Sequence, residues 1–65
     1  MSKEEAIQAM KEGKRVTHRH FAADEWMTMQ AGMIILEDGV ICTPQYFWQW
    51  RIDPVWDDGY KLFDE

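Results

Sequence analysis

Cysteine is nearly absent from this sequence: Cys42 is the only one among 65 residues. A single thiol closes no intramolecular disulfide and builds no multi-thiol zinc cage, so a reducing cytoplasm is the expected compartment. Long apolar runs are absent too. The longest uncharged stretches, Trp26 to Leu36 and Gly39 to Trp50, contain polar residues and fall far short of the roughly 20 residues of a bilayer span. The chain opens Met-Ser-Lys-Glu-Glu with no apolar segment behind a basic start, so no secretory signal is expected. Glycine is sparse and scattered singly, which excludes a phosphate-cradling glycine loop. Basic residues are outnumbered, seven Lys and Arg against twelve Asp and Glu, for a net charge of −5. Direct binding to a nucleic-acid backbone needs clustered positive charge and is not expected. With 46% apolar and 29% charged residues and no repeat or linker, residues 1–65 read as one folded domain.

What the chain has in surplus is aromatic surface. A domain this short buries only about 60% of its unfolded surface, and its core supplies about 3–5 kcal/mol. Without disulfides it must use very large core side chains or a partner subunit. Four Trp, three Phe and two Tyr are present, and each ring buries about 150–250 Å². Nine rings exceed what one thin core layer needs, so some are expected in a subunit interface or against a ligand. Five of the seven basic residues lie between Lys3 and Arg19, whereas residues 52–65 carry five acids and one lysine. The acidic balance reads as ordinary solubility charge, or as a surface that mimics nucleic acid toward a basic partner.

Ser2 followed three residues later by Glu5 is a capping box, and Lys3 to Glu12 holds good helix formers with an apolar stripe of Ala6, Ile7 and Met10. Gly13 stops this helix. Alternation follows: Val16, His18 and His20 oppose Arg15, Thr17, Arg19 and Phe21. Ala22-Ala23-Asp24 reads as a loop. Glu25–Gln30 alternates again, Ala31-Gly32 breaks it, and Met33–Glu37 is a short apolar strand. Asp38-Gly39 predicts a type I′ hairpin with Val40–Thr43 as the return strand, ended by Pro44. Gln45–Arg51 fits either a strand or a helical turn, the latter placing Phe47 beside Trp50 and Arg51. Asp57-Asp58-Gly59 is a turn and Tyr60–Phe63 a last strand. The predicted fold is α+β: an N-terminal helix packed on a bent antiparallel sheet of about four or five strands.

Few residues offer chemistry. His18 and His20, two apart on a strand, share a face as metal ligands do, but three or four ligands are needed and only Cys42 is left to add. No metal or other cofactor is expected, and the imidazoles read as surface or interface hydrogen-bonding groups. Asp24 or Glu25 beside His20 could orient a base, but no nucleophile accompanies them. Cys42 in a strand reads as a buried, inert thiol. Asp57-Asp58 reads as turn rather than carboxylate dyad, so no enzyme is expected. The richest stretch is Tyr46 to Arg51, where Trp beside Arg can sandwich a flat ring and Arg can pair with phosphate.

The run Glu5-Ala6-Ile7-Gln8-Ala9-Met10-Lys11-Glu12-Gly13-Lys14-Arg15-Val16 resembles the opening of a family of small phage and prophage proteins. Its pattern is E-A-(I/L)-x-x-(L/M)-K-x-G-K-x-V, followed by an arginine, an aromatic, an acidic-glycine hairpin and a closing Asp-Asp plus aromatic. That family includes the second class of Thoeris anti-defence proteins, and an anti-CRISPR protein resembles it. The likeness covers the first 21 residues well and the rest in order of elements. Phe21 stands where the family usually has tryptophan, Arg19 lies one place beyond the family's arginine, and Tyr60 replaces a closing tryptophan. The resemblance implies a phage-encoded, non-enzymatic counter-defence protein of the host cytoplasm. Such a protein sequesters a cyclic nucleotide-type immune signal, cyclic ADP-ribose-like or a cyclic dinucleotide, in a homo-oligomer. The residues that match those roles by type are Thr17, Arg19, Phe21, Trp26, Trp48, Trp50 and Arg51. The alternative is an anti-CRISPR-like inhibitor that binds a host defence protein, a role the net charge favours.

Overall fold

The computed structural model describes residues 1–64. The capping box forms as the sequence dictates. Ser2 Oγ accepts from Glu5 N–H at 3.2 Å, and Glu5 Oε1 accepts from Ser2 N–H at 2.8 Å. These bonds satisfy donors that the first helical turn leaves orphaned, and α1 runs Lys3–Lys11 behind them. Its stripe turns inward: Ala6 and Met10 are fully buried and Ile7 packs beside them.

Five strands follow: β1 Val16–His18, β2 Met27–Gln30, β3 Met33–Leu36, β4 Ile41–Cys42 and β5 Tyr60–Leu62. They form one antiparallel sheet in the order β4-β3-β2-β1-β5. The α+β fold is therefore as expected, at the upper strand number. Register places Val16 opposite Met27 and Leu62, and His18 opposite Tyr60. Because side chains alternate, Val16, His18, Met27, Met29, Ile34 and Tyr60 share the face that packs on α1. The core is Ala6, Met10, Val16, Met27, Ile34, Phe47 and Tyr60.

Two turns exchange the roles the sequence suggested. The type I′ geometry, with positive φ at both central residues, lies at Ala31 (φ 53) and Gly32 (φ 79), which join the paired Gln30 and Met33. At Glu37-Asp38-Gly39, by contrast, only Gly39 has positive φ. Its N–H donates to the Leu36 carbonyl at 2.9 Å, and the connection is a three-residue loop. The motif after β3 was the better sequence match, but the number of residues between paired strands set the turn type.

The ambiguous segment is a helix. Thr43, with extended backbone, accepts the Tyr46 N–H on its Oγ1 at 3.1 Å, and Pro44 occupies the first helical position of α2, Pro44–Gln49. Pro44 thus starts a helix as well as ending a strand, since its missing N–H would have been an orphan there. Asp53 caps a single 3₁₀ turn, Pro54–Trp56, in the same manner. Among the described residues no helix is long and apolar enough to cross a membrane.

Candidate functional site

His18 organises one end of the sheet. It was expected at the surface or an interface, yet it is only 3% exposed, because its place on β1 puts it on the core face beside Val16. Its Nε2 lies 2.7 Å from the Asp58 carbonyl and 3.1 Å from the Val55 carbonyl, and its Nδ1 accepts the His20 N–H at 3.0 Å. Two acceptors on one nitrogen and a donor on the other assign the neutral Nε2–H tautomer. The ring centroid is 4.4 Å from that of Trp56 and 4.5 Å from that of Tyr60. His18 is therefore a pin between β1 and the 53–59 segment. His20 is exposed, and neither Asp24 nor Glu25 orients it. The Glu25 carboxylate accepts the Ala22 N–H and the Glu25 carbonyl accepts the Thr17 hydroxyl, each at 2.8 Å. Among the described residues no group of three or more His, Cys, Asp or Glu could hold a metal.

Next to this pin is a small cleft of about 260 Å³. Thr17, Arg19 and Phe21, three residues singled out from the sequence, line it together with His18 and Lys61. The β1–β5 register sets Lys61 directly opposite Thr17. Arg19 is held by its own backbone, whose N–H donates to the Gly59 carbonyl at 3.1 Å, and its guanidinium makes an exposed pair with Asp58 at 3.3 Å. Gly59 has φ +93, and a Cβ there would come within 3.1 Å of both Arg19 Nε and His18 Nε2. A glycine is required for the turn and for the close approach of both side chains. Two cations beside a half-buried Phe21 ring make an anion-and-ring recess in an otherwise acidic chain.

The other residues singled out from the sequence lie elsewhere. Trp26 packs on Phe63 and on the Arg15 guanidinium, 5.2 Å from its ring centroid. Trp48 packs edge-on against Phe47 and carries Lys3 Nζ 4.5 Å above its ring. Trp50 and Arg51 line a second, larger recess of about 590 Å³ between β4 and α2, with Ile41, Cys42, Tyr46 and Phe47. Cys42, expected to be buried and inert, is half-buried on that wall, because β4 is an edge strand. Tyr46 and Trp50 are 51% and 69% exposed, so the surplus of rings does reach the surface. Lys61 and Tyr46 were missed as lining residues. Tyr46 lay in the stretch already marked as aromatic, whereas Lys61 gave no local signal.

Tyr60 is buried in the core beside His18. Its hydroxyl donates to the Trp56 carbonyl at 2.6 Å. Burial pushes its phenol up to about 12, with the Asp57 and Asp58 charges adding to the rise and Arg51 opposing it. No family model matches the chain, and neither a curated protein nor a solved structure does.

Proposed function

We propose that this chain is a non-enzymatic binding protein that sequesters a small cyclic nucleotide-type signal in the Thr17–Arg19–Phe21–Lys61 cleft, as a phage counter-defence protein does. One observation carries the reading: two cations, a hydroxyl and an aromatic ring, drawn from β1 with its following turn and from the distant β5, line a single recess. Arg19 and Lys61 supply charge for phosphate, and Phe21 supplies a face for a base. The Asp58 partner of Arg19 is no obstacle. The pair is exposed, such pairs contribute about 0–1 kcal/mol, and a phosphate can replace the carboxylate.

The same cleft supports a homo-oligomer. At about 260 Å³ it is smaller than the roughly 300–1,000 Å³ typical of drug-sized ligand sites, so a cyclic nucleotide overfills it. A second copy would supply the remaining wall. Sequestration needs tight binding without turnover, and the Thr17 hydroxyl in the cleft is already donated to the Glu25 carbonyl. Thermal denaturation with cyclic ADP-ribose isomers and cyclic dinucleotides tests the reading. A ligand at 100 times its Kd adds about 2.7 kcal/mol, a rise of several degrees for a domain this size. Arg19→Ala and Lys61→Ala should each abolish that rise while leaving the unliganded midpoint nearly unchanged. A midpoint that stays constant with all of these nucleotides would reject the proposal.

A further inference from the structure

The groove between β4 and α2 lies apart from the nucleotide cleft and borders an open sheet edge. Hydrogen bonding along an antiparallel pair alternates from residue to residue. Leu36 N–H donates to the Val40 carbonyl at 2.9 Å, and the register sets Ile34 against Cys42 and Ile35 against Ile41. The Val40 carbonyl and the Cys42 backbone groups therefore face β3, the Val40 N–H donates to Asp38 Oδ1 at 3.1 Å, and the Ile41 N–H and C=O point outward. Among the described residues no backbone group pairs with them. The opposite edge is different: the outward N–H and C=O of Tyr60 on β5 are met by Met1 at 3.3 and 2.7 Å. Edge strands are usually protected by lysine, proline or a covering segment. Residues 40–43 carry no charge, and Val40 and Ile41 are 50% and 60% exposed, so among the described residues β4 is protected by its shortness and by the Pro44 that follows it.

Beside this edge the groove is apolar with one cation, Arg51, and no acid in its lining. The Arg51 guanidinium lies 3.9 Å from the Phe47 ring centroid, and its Nη1 donates to the Phe47 carbonyl at 3.1 Å. Its Nε is buried without a hydrogen-bond partner. Arg15 pairs with Asp64 and Arg19 with Asp58, but Arg51 has no carboxylate among the described residues. A planar guanidinium on an aromatic face is well placed to receive a carboxylate.

We propose that this face docks an extended segment of another protein, which adds to β4 as a sixth strand, seats apolar side chains in the groove and sets a carboxylate on Arg51. Main-chain bonds to Ile41 give the segment its direction, and the groove reads alternate side chains. Tyr46 and Trp50 supply the aromatic contacts that dominate such interfaces. Charge complementarity selects this occupant over a second copy of the chain, because the same face on a copy brings a second Arg51 and no acid.

The experiment is selection of random peptides of about seven residues on the immobilised full chain, followed by affinity measurement on the strongest synthetic peptide through Trp fluorescence. Enriched peptides should alternate apolar residues and carry Asp, Glu or a free C-terminal carboxylate. Arg51→Gln should weaken binding about tenfold or more, as loss of a charge-assisted pair does. Trp50→Ala, at a position too exposed to disturb the fold, should also weaken it. N-methylation walked along the peptide backbone should block binding at the residue opposite Ile41 and spare its two neighbours, whose N–H groups point away from β4. Enrichment of peptides without acid, methylation tolerated at every position, or no enrichment would each overturn the proposal. So would a dimer that Ile41→Lys splits into monomers, since the face would then belong to a second copy.

Discussion

The Nε2 of His18 lies 2.7 Å from the carbonyl oxygen of Asp58, a contact across 40 residues of chain that ties the last loop to the first strand. The same ring accepts the His20 N–H through Nδ1. His18→Phe keeps the ring packing against Trp56 and Tyr60 but leaves a partly buried donor and carbonyls without their partner. Each such group costs about 1–3 kcal/mol. Urea denaturation should show a loss of that size, and amide exchange should accelerate at Asp58 and Gly59 before the rest of the sheet. An unchanged denaturation midpoint would mean that water replaces the imidazole and that His18 is not a pin.

A second expectation concerns the β2–β3 turn. Ala31 holds φ 53, a left-handed conformation that costs an L-residue with a Cβ about 1–2 kcal/mol. Asparagine tolerates it and, before glycine, is the preferred residue of a type I′ turn. Ala31→Asn should raise stability by about 1 kcal/mol, or roughly 4–8 °C in Tm for a domain of this size. A lower Tm would show that the turn relaxes away from this geometry in solution.

These two sites mark where the sequence was legible and where it was not. The capping box of α1, the alternation in β1 and β2, the apolar run of β3 and the glycine turns are local signals, and each produced its element, although the type I′ turn fell at Ala31-Gly32 and not at Asp38-Gly39. Thr43-Pro44 was also a local signal, but proline both ends strands and begins helices, and the rings of 45–51 fit either period. The inward turn of His18 was not legible, because an imidazole has no hydropathy that separates a core face from a wet one. The meeting of Thr17 with Lys61 needs the β1–β5 register, which joins residues 44 apart along the chain. Of the seven residues marked for binding, one strand and its turn brought Thr17, Arg19 and Phe21 together. Trp50 and Arg51 followed α2 to the other groove, and Trp26 and Trp48 were taken up in packing.

Acid should weaken α1 through Glu5. Hydrogen bonds from Ser2 hold the Glu5 carboxyl below its usual 4.5, first from the backbone N–H and then from the hydroxyl. A carboxylate whose folded pKa is depressed adds stability above the unfolded value and loses it as pH falls through the folded one. The difference in stability between the native chain and Glu5→Gln should therefore be constant at neutral pH. It should shrink as pH drops below about 4.5. Parallel denaturation curves of the two proteins from neutral pH down to acid check this. A difference that persists unchanged in acid would assign the cap to packing rather than to the charge.

Alkali should act at Tyr60 with the opposite sign. Burial raises its phenol to about 12 from an unfolded value of 10.0. The neutral form is thus favoured in the folded chain, and the contribution is fully present below pH 10. Between pH 10 and 12 the unfolded chain releases the proton and the folded chain keeps it, so stability falls over that window. Phenolate absorbance should show one tyrosine ionising near 12, with loss of folded signal accompanying it. Tyr60→Phe removes the titrating group and should flatten this decline. At neutral pH it gives up the 2.6 Å bond to the Trp56 carbonyl, at a cost of about 1 kcal/mol. If Tyr60 ionises near 10 in the folded protein, its phenol is open to water and its burial does not hold in solution.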